Sequence, residues 1–188
     1  MSPCAGCMKA RRAIISKAPR GLRERLTRAF LPPDTSPATD TPIDVPIVTT
    51  AEAVVREART WVGVPLIHQG RNRSGLDCWG LPIVVLQALG VVLPAGLLAT
   101  DYPRLPISGQ AEAALKQYCT KLPAVVPGCL VALRLRRTIT HVAIYTDTDT
   151  IIHAMERGTA SVVIEHAFRG MWRNRFAAGF WALPGVRY

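Results

Sequence analysis

A cysteine stands at the start of an apolar run in the stretch "SGLDCWGLPIVV", residues 74–85. Asp77 immediately precedes Cys78, and an acidic side chain at this place can cap the first turn of a following helix. The free amides and the positive end of such a helix favour a thiolate, so the pattern predicts a lowered pKa for Cys78. The alternative is a cysteine that is only packed as a small apolar residue.

A nucleophilic thiol needs a proton acceptor, and the sequence offers four imidazoles, at His68, His141, His153 and His166. His141 opens the run "HVAIY" and His153 lies in "TIIHAM", with the turn-forming stretch "TDTDT" between them. This arrangement predicts a β-hairpin with the two rings on facing strands. One imidazole could then meet the thiol while the second orients it. Spacing alone leaves open that both are structural histidines.

The surrounding elements must position these groups. "TTAEAVVREARTWVG" (49–63) predicts a helix with Thr50 as N-cap, and "CWGLPIVVLQALG" (78–90) predicts a buried helix that ends at Gly90. A short helix is expected around 109–121. Strands are then predicted for four Val- and Ile-rich runs and a last one near the end, "CLVALRLR", "THVAIYTD", "TIIHAMER", "SVVIEHAF" and "AAGFWAL". Helices followed by adjacent strands indicate an α+β fold with N-terminal helices, one with the cysteine, packed on an antiparallel sheet.

Composition divides the 188-residue chain into three predicted segments. Residues 1–31 contain eight Lys or Arg and one Glu, and they predict a basic, helical arm that docks to a partner. Residues 32–48 are rich in Pro and predict an extended linker. Residues 49–188 form the predicted globular domain. The formal charge of +10 favours polyanionic partners such as nucleic acid, an anionic membrane surface or a cell wall.

Targeting signals and cofactor sites are not evident in the sequence. No apolar stretch is long enough for a transmembrane helix, and no apolar core of a signal peptide follows the first basic residues. "CAGC" supplies two soft ligands, Cys4 and Cys7, whereas a structural metal site needs about four, so a metal would have to be shared with a partner. An unpaired or redox-labile thiol pair is the favoured interpretation, and no cofactor is expected.

Three motifs in order resemble the NlpC/P60 family of papain-like cysteine peptidases, with the greatest similarity to the branch that tailed phages and prophages encode as tail-associated cell-wall peptidases. The motifs are "ARTWVGVPLIHQGRNRSGLDCWGL" (58–81), "PGCLVALRL" (127–135), and "THVAIYTD" (140–147) followed by "IIHAME" (151–156). The resemblance covers roughly residues 51–185. It implies the papain-like fold, Cys78 as nucleophile, His141 as general base and acid, and His153 as the residue that orients His141. It also implies that the Cys78 backbone amide helps to hold the oxyanion.

The chain departs from the family pattern at four places. Leu66 occupies the position of a family Tyr whose hydroxyl helps at the oxyanion site, and His68 or Gln69 are candidate replacements. Cys129 stands where the family turn has Asp, and it is expected to be a buried thiol. Pro82 lies four residues after Cys78, so a regular helix is expected to start after Cys78 or to bend there. Trp79 could line the substrate cleft or pack on the sheet.

The resemblance implies hydrolysis of amide bonds in peptidoglycan stem peptides or cross-links, without a cofactor, by a component of a phage tail tip. Such a protein would be made in the host cytoplasm without a signal peptide and would end in the virion tail. Its partners would be peptidoglycan and, through residues 1–47, other tail proteins; contact of the basic arm with nucleic acid is a less favoured alternative. Leu66 and the arm also suit a structural tail-tip plug or hub without useful catalysis. An acyltransferase or another thiol hydrolase on the same fold is a third class.

Overall fold

The structure is a computed structural model, and it describes residues 45–104, 109–135, 138–157 and 160–188. The predicted arm (1–31) and the predicted linker as far as residue 44 lie outside the described residues. Residues 45–48 have no regular secondary structure and lead into the first strand. The division of the chain at residues 31 and 48 therefore stays a prediction.

Two helices of nine residues form the helical layer. Helix α1 (Ala51–Arg59) begins after Thr50, whose hydroxyl accepts a hydrogen bond from the backbone N–H of Ala53 at 3.4 Å, as the N-cap prediction requires. Helix α2 (Gly80–Ala88) has seven buried residues, so it lies inside the protein rather than on its surface. The four-residue helix α3 (Ala95–Leu98) and the nine-residue helix α4 (Gln110–Tyr118) follow.

The main sheet has six strands in the order β4-β9-β5-β6-β7-β8, and every neighbouring pair is antiparallel. All five predicted strand runs are present, and the expected hairpin forms with Tyr145 opposite Ile151. The strands are β4 (Thr120–Leu122), β5 (Leu130–Leu133), β6 (His141–Tyr145), β7 (Thr150–Arg157), β8 (Ala160–Ala167) and β9 (Ala177–Ala182). The α+β prediction is confirmed.

Alternating residues of the strands supply two separate apolar clusters. The helix-side core lies between the sheet and helices α1 and α2, and its sheet residues include Val142, Ile144, Ile152, Ala154 and Val163. The outer core lies on the opposite face of the sheet, where residues of a π-helix (Trp172–Phe176) pack on it; it is formed by Val131, Leu133, Ala143, Ile151 and Phe168. Successive residues of one strand thus point alternately to the helix-side core and to the outer core.

Five short strands were not expected from the sequence. One is β4, which begins at Thr120, where the helix around 109–121 was expected to continue; α4 ends at Tyr118. Strand β1 (Thr49–Thr50) pairs in parallel with β10 (Val186–Arg187), and this pair joins the start of α1 to the end of the chain. Strands β2 (Arg71–Asn72) and β3 (Gly75–Leu76) form a small hairpin directly before Cys78. Among the described residues, the structure contains no helix of the length and apolarity that a membrane crossing requires.

Candidate active site

Cys78 lies in the turn that opens helix α2. The Asp77 carboxylate accepts a hydrogen bond from the backbone N–H of Gly80 at 2.8 Å, and the Asp77 carbonyl accepts one from Leu81 at 3.0 Å. Asp77 therefore caps this turn as its sequence position suggested. Pro82 is the third residue of the helix, where a missing N–H breaks no helical hydrogen bond. This explains why the helix begins after Cys78, as the proline predicted.

The thiol of Cys78 lies between the start of α2 and the start of β6. The backbone amides of Val142, Trp79 and Cys78 itself act on the sulfur in the direction that lowers the pKa of the thiol. Burial nevertheless raises the pKa of the Cys78 thiol to about 12, and the negative charge of Asp77 adds to this rise. The sequence-based expectation of a lowered pKa is therefore wrong for the resting protein. Loss of hydration outweighs the favourable amides at the helix start.

The structure brings the imidazoles of His141 and His153 together. His141 is the first residue of β6 and is 7% exposed, while His153 lies within β7 and is fully buried. Nε2 of His141 lies 2.7 Å from Nδ1 of His153, and the two rings meet edge to face at a centroid distance of 4.9 Å. Because Nε2 is engaged, Nδ1 is the nitrogen of His141 that remains for the thiol.

Both of these imidazoles are neutral at pH 7. Burial lowers the pKa of His141 to about 4, against the opposing effect of the Asp77 carboxylate. Burial also lowers the pKa of His153 to about 2, and repulsion from the neighbouring imidazoles contributes. The resting site therefore contains a neutral thiol and neutral imidazoles. In this resting state, the sulfur is protonated and a neutral imidazole is available to accept its proton.

A cavity of about 310 Å³ opens at the thiol. Of the residues proposed from the sequence, Cys78, His141, Trp79 and His68 line it, together with the apolar Leu66. His153 lies behind His141 and is not part of the wall. Tyr102 also lines this cavity.

Gln69 is not among the residues that line this cavity. Its backbone N–H donates to Asp77 at 2.7 Å, and its side-chain amide donates to the carbonyl of Tyr102 at 2.8 Å. His68 reaches the cavity, but its Nε2 lies 3.1 Å from the same carbonyl and its Nδ1 lies 3.7 Å from an Asp77 oxygen. Both side chains thus hold the loop before Cys78 to the segment around Tyr102.

An ionic network centred on Asp77 was missed in the sequence. Nη1 of Arg71 lies 3.1 Å from one carboxylate oxygen of Asp77, and the hydroxyl of Tyr102 donates to the other at 2.6 Å. Nη2 of Arg71 donates to the Tyr102 hydroxyl at 2.6 Å, which closes a triangle. Burial raises the pKa of Tyr102, and its bond to Asp77 adds to this rise. In the sequence, only the position of Asp77 next to Cys78 indicated this network. Tyr102 lies in a Pro-rich connection that has no periodic pattern of apolar residues.

Gly80 allows the loop at Gly70 and Arg71 to lie close to the start of helix α2. A Cβ atom at Gly80 would lie 2.5 Å from the carbonyl oxygen of Gly70 and 2.7 Å from Nη1 of Arg71. The space beside Gly80 is therefore occupied by the Arg71 loop. A side chain here would displace the guanidinium that neutralises Asp77.

A second, mainly apolar cavity of about 220 Å³ adjoins the first one. Trp79, Tyr102 and Pro103 line both cavities, so they form the partition between them. The far wall is formed by Ile83, Leu97 and Tyr118. Trp79 thus both packs on the core and borders the cleft, which combines the two interpretations of its sequence position.

The other cysteines do not join the site. Cys119 and Cys129 are buried, and burial raises the pKa of their thiols to about 12 and about 11. The buried state of Cys129 is as predicted. In the part of the chain that the structure describes, no group of three or more His, Cys, Asp or Glu could hold a metal ion. Cys4 and Cys7 lie outside the described residues.

Comparison with known proteins identifies the family. The model of the NlpC/P60 family matches residues 63–180, while a search of curated proteins found no match. Among solved structures, the NlpC/P60 domain of the peptidoglycan hydrolase SagA is 22% identical, with a TM-score of 0.46 over 71% of this chain and 98% of that one. An NlpC/P60 family protein from Bacillus cereus is 18% identical, with a TM-score of 0.50 over 71% of this chain and 40% of that one.

A lipoprotein-like member of the NLP/P60 family from Staphylococcus aureus is 19% identical to this chain, with a TM-score of 0.50. That match covers 89% of this chain and 50% of the other, so this chain spans about half or less of the two longer structures. The family model covers well over half of the present sequence, including the residues around Cys78, His141 and His153. The chain therefore belongs to the NlpC/P60 family, and its α+β architecture is the papain-like fold of that family.

Proposed function

We propose that this chain is a cysteine peptidase that hydrolyses amide bonds in peptidoglycan stem peptides or cross-links. The observation on which the proposal depends is the meeting of Cys78 and His141 in one cavity, with His153 bonded behind His141. The order thiol, imidazole, orienting group is the arrangement that activates a cysteine nucleophile. A peptide carbonyl needs access to the sulfur, and the cavity supplies it.

The proposed reaction begins when His141 Nδ1 takes the proton of the Cys78 thiol as the sulfur attacks the amide carbonyl. The backbone amide of Cys78, at the start of α2, stabilises the resulting oxyanion. The carbon–nitrogen bond then breaks, the leaving amine takes the proton from His141, and a thioester remains on Cys78. Water attacks the thioester carbonyl as His141 removes one of its protons. The carbon–sulfur bond then breaks, and the departing sulfur takes that proton from His141 as the acid product is released.

His153 holds the His141 ring through the 2.7 Å contact and thereby orients it throughout the cycle. Leu66 offers no hydrogen-bond donor to the oxyanion, and Gln69 is bonded elsewhere. His68 lines the wall, but its ring nitrogens face the Tyr102 carbonyl and Asp77, so the proposed oxyanion site relies on the Cys78 amide. Loss of one oxyanion donor typically slows such enzymes by about 10²- to 10³-fold, so a modest turnover is expected.

The experiment that tests this proposal measures release of stem-peptide fragments from purified sacculi by the wild type and by Cys78→Ala. Release by the wild type and none by the variant is expected. Cys129→Ala is the matched control, because it removes a buried thiol that lies outside the cleft. Equal release by wild type and Cys78→Ala would contradict the proposal.

We further propose that the chain acts at a phage tail tip and opens the cell wall locally during infection. The support is the similarity of its motifs to tail-associated members and the basic segment at residues 1–31, which suits docking to other tail proteins. Immunoblots of purified particles should detect the chain, and deletion of residues 1–47 should prevent its incorporation while Cys78→Ala assembles. Absence of the chain from purified particles would contradict this placement.

A second candidate is a structural plug or hub on the same fold, which Leu66 favours because it removes a donor from the oxyanion site. This candidate predicts that particles with Cys78→Ala assemble and infect as well as wild type. The peptidase predicts normal assembly with reduced infection, so one pair of measurements separates the two.

A further inference from the structure

Three histidines lie along one diagonal of the sheet. In the hairpin, Tyr145 is opposite Ile151, and continuing this register places His153 opposite Ala143, two residues from His141. On the other side, His153 is opposite Ile164, while His166 is opposite Ile151. Side chains two residues apart share a face, so the three imidazoles follow each other across β6, β7 and β8. No step of the proposed reaction uses His166.

The imidazoles are linked in series by short contacts. Nε2 of His153 lies 2.8 Å from Nε2 of His166, next to the 2.7 Å contact between His141 and His153. Nδ1 of His166 then lies 3.1 Å from the backbone carbonyl oxygen of Ala167. The ring of Trp172 packs against His153 and His166 at centroid distances of 5.1 and 4.7 Å. The series thus runs from the active-site cavity to His166, which also contacts the backbone carbonyl of Ala167.

The carbonyl of Ala167 fixes the direction of this series, because a carbonyl oxygen can only accept a hydrogen bond. Nδ1 of His166 must therefore carry a hydrogen, and in the neutral ring its Nε2 is then an acceptor. With His166 neutral, His153 donates to it from Nε2, which leaves Nδ1 of His153 as the acceptor for His141. His141 donates from Nε2, and its Nδ1 retains the free lone pair.

The opposite direction is disfavoured for neutral rings. It would place a hydrogen on Nδ1 of His141, where it could not accept the thiol proton, and a lone pair of His166 against the lone pairs of the Ala167 oxygen. We infer that His166 is a positioning residue: bonded to the Ala167 carbonyl, it sets the tautomers of His153 and His141 so that Nδ1 of His141 is unprotonated. The catalytic consequence rests on the proposed function, whereas the tautomers do not.

The tautomers can be measured directly. Long-range ¹H–¹⁵N correlation spectra of protein labelled with ¹⁵N-histidine distinguish a ring protonated at Nε2 from one protonated at Nδ1, and spectra of single-histidine variants assign the rings. In the wild type, His141 and His153 are expected to be protonated at Nε2 alone. A wild-type spectrum with His141 protonated at Nδ1 would overturn the inference, whatever the variants show.

Variants at His166 test its role. His166→Leu removes the acceptor, so His153 and His141 should shift to a mixture of tautomers, a change of roughly tenfold in the tautomer ratio for the loss of one hydrogen bond. His166→Gln retains an acceptor oxygen of similar reach and should keep the wild-type pattern. Trp172→Phe is the matched control, since it alters packing on the same rings while the acceptor remains. An unchanged pattern in His166→Leu would refute the role.

Hydrolysis of sacculi supplies a second readout. In His166→Leu, kcat should fall roughly tenfold with KM unchanged, because the altered tautomer affects proton transfer rather than substrate binding. His166→Gln should restore kcat. If the wild type hydrolyses nothing, the proposed function fails while the spectra still decide the tautomers. If the wild type is active and His166→Leu matches it in both kcat and spectra, the inference fails and the proposed function stands.

Discussion

Removal of the charge on Asp77 is expected to change the stability of the protein and the reactivity of its thiol in opposite senses. Asp77 is 7% exposed and lies 3.1 Å from the guanidinium of Arg71. At this distance, with an effective dielectric constant of about 20, the attraction is about 5 kcal/mol. Asp77→Asn keeps an oxygen for the Gly80 amide but leaves Arg71 without its counter-charge. Regained hydration offsets part of the loss, so a decrease of about 3 kcal/mol in the free energy of unfolding is expected.

The same substitution should make Cys78 more reactive. The Asp77 charge contributes to the raised pKa of the Cys78 thiol, so its removal lowers that pKa and increases the thiolate fraction at pH 8. Urea denaturation measures the change in the free energy of unfolding. The rate of alkylation by iodoacetamide, followed for each cysteine by peptide mass spectrometry, measures the reactivity of the Cys78 thiol.

Two controls separate native reactivity from unfolding. Cys119 and Cys129 are buried, so their alkylation would report unfolded protein, while alkylation confined to Cys78 within the domain reports the folded state. Asp101→Asn removes the same charge from an exposed position and should change stability by less than about 0.5 kcal/mol. Asp77→Asn with wild-type stability, or with slower alkylation of Cys78, would refute the electrostatic reasoning.

Three further outcomes are expected. Gly80→Ala should lower the free energy of unfolding by about 2 kcal/mol or more, because its Cβ would meet the carbonyl oxygen of Gly70 at 2.5 Å; urea curves that coincide with wild type would contradict this. Thr50→Ala should cost about 1 kcal/mol in the same assay through loss of the N-cap. Since burial lowers the pKa of His141 and His153, the unfolded chain binds more protons below about pH 6.5. Stability should therefore fall as the pH decreases from 6.5 to 5, and less so in His153→Gln; a flat wild-type profile would disagree.

Much of the fold follows from local patterns. The N-cap at Thr50 and the apolar face of α1 are properties of a short segment, as are the Val- and Ile-rich runs that became β5 to β9. The start of α2 was also predictable, because Pro82 cannot lie in a helix interior after Cys78. The two-residue strands and β4 were missed. β1 and β10 pair residues from opposite ends of the domain and show no period of their own, and β4 has only three residues directly after a helix.

Part of the candidate site could also be predicted from local sequence patterns. The spacing of His141 and His153 around a turn was sufficient to expect a hairpin with facing rings, and the structure places them 2.7 Å apart. His166 was visible as an imidazole, but only the register of β7 with β8 brings it to His153. Tyr102 reaches Asp77 from 25 residues away, through a connection that no periodic pattern describes.

The sequence by itself determined which residues open α2, which runs form the sheet and which imidazoles share its hairpin, because these depend on capping, periodicity and turn chemistry within a few residues. Only the tertiary structure decided the protonation of the site. The helix start favours a thiolate at Cys78, yet burial between α2 and β6 raises the pKa of the thiol to about 12. Desolvation depends on everything packed around the sulfur, so it becomes evident only when distant segments are folded together.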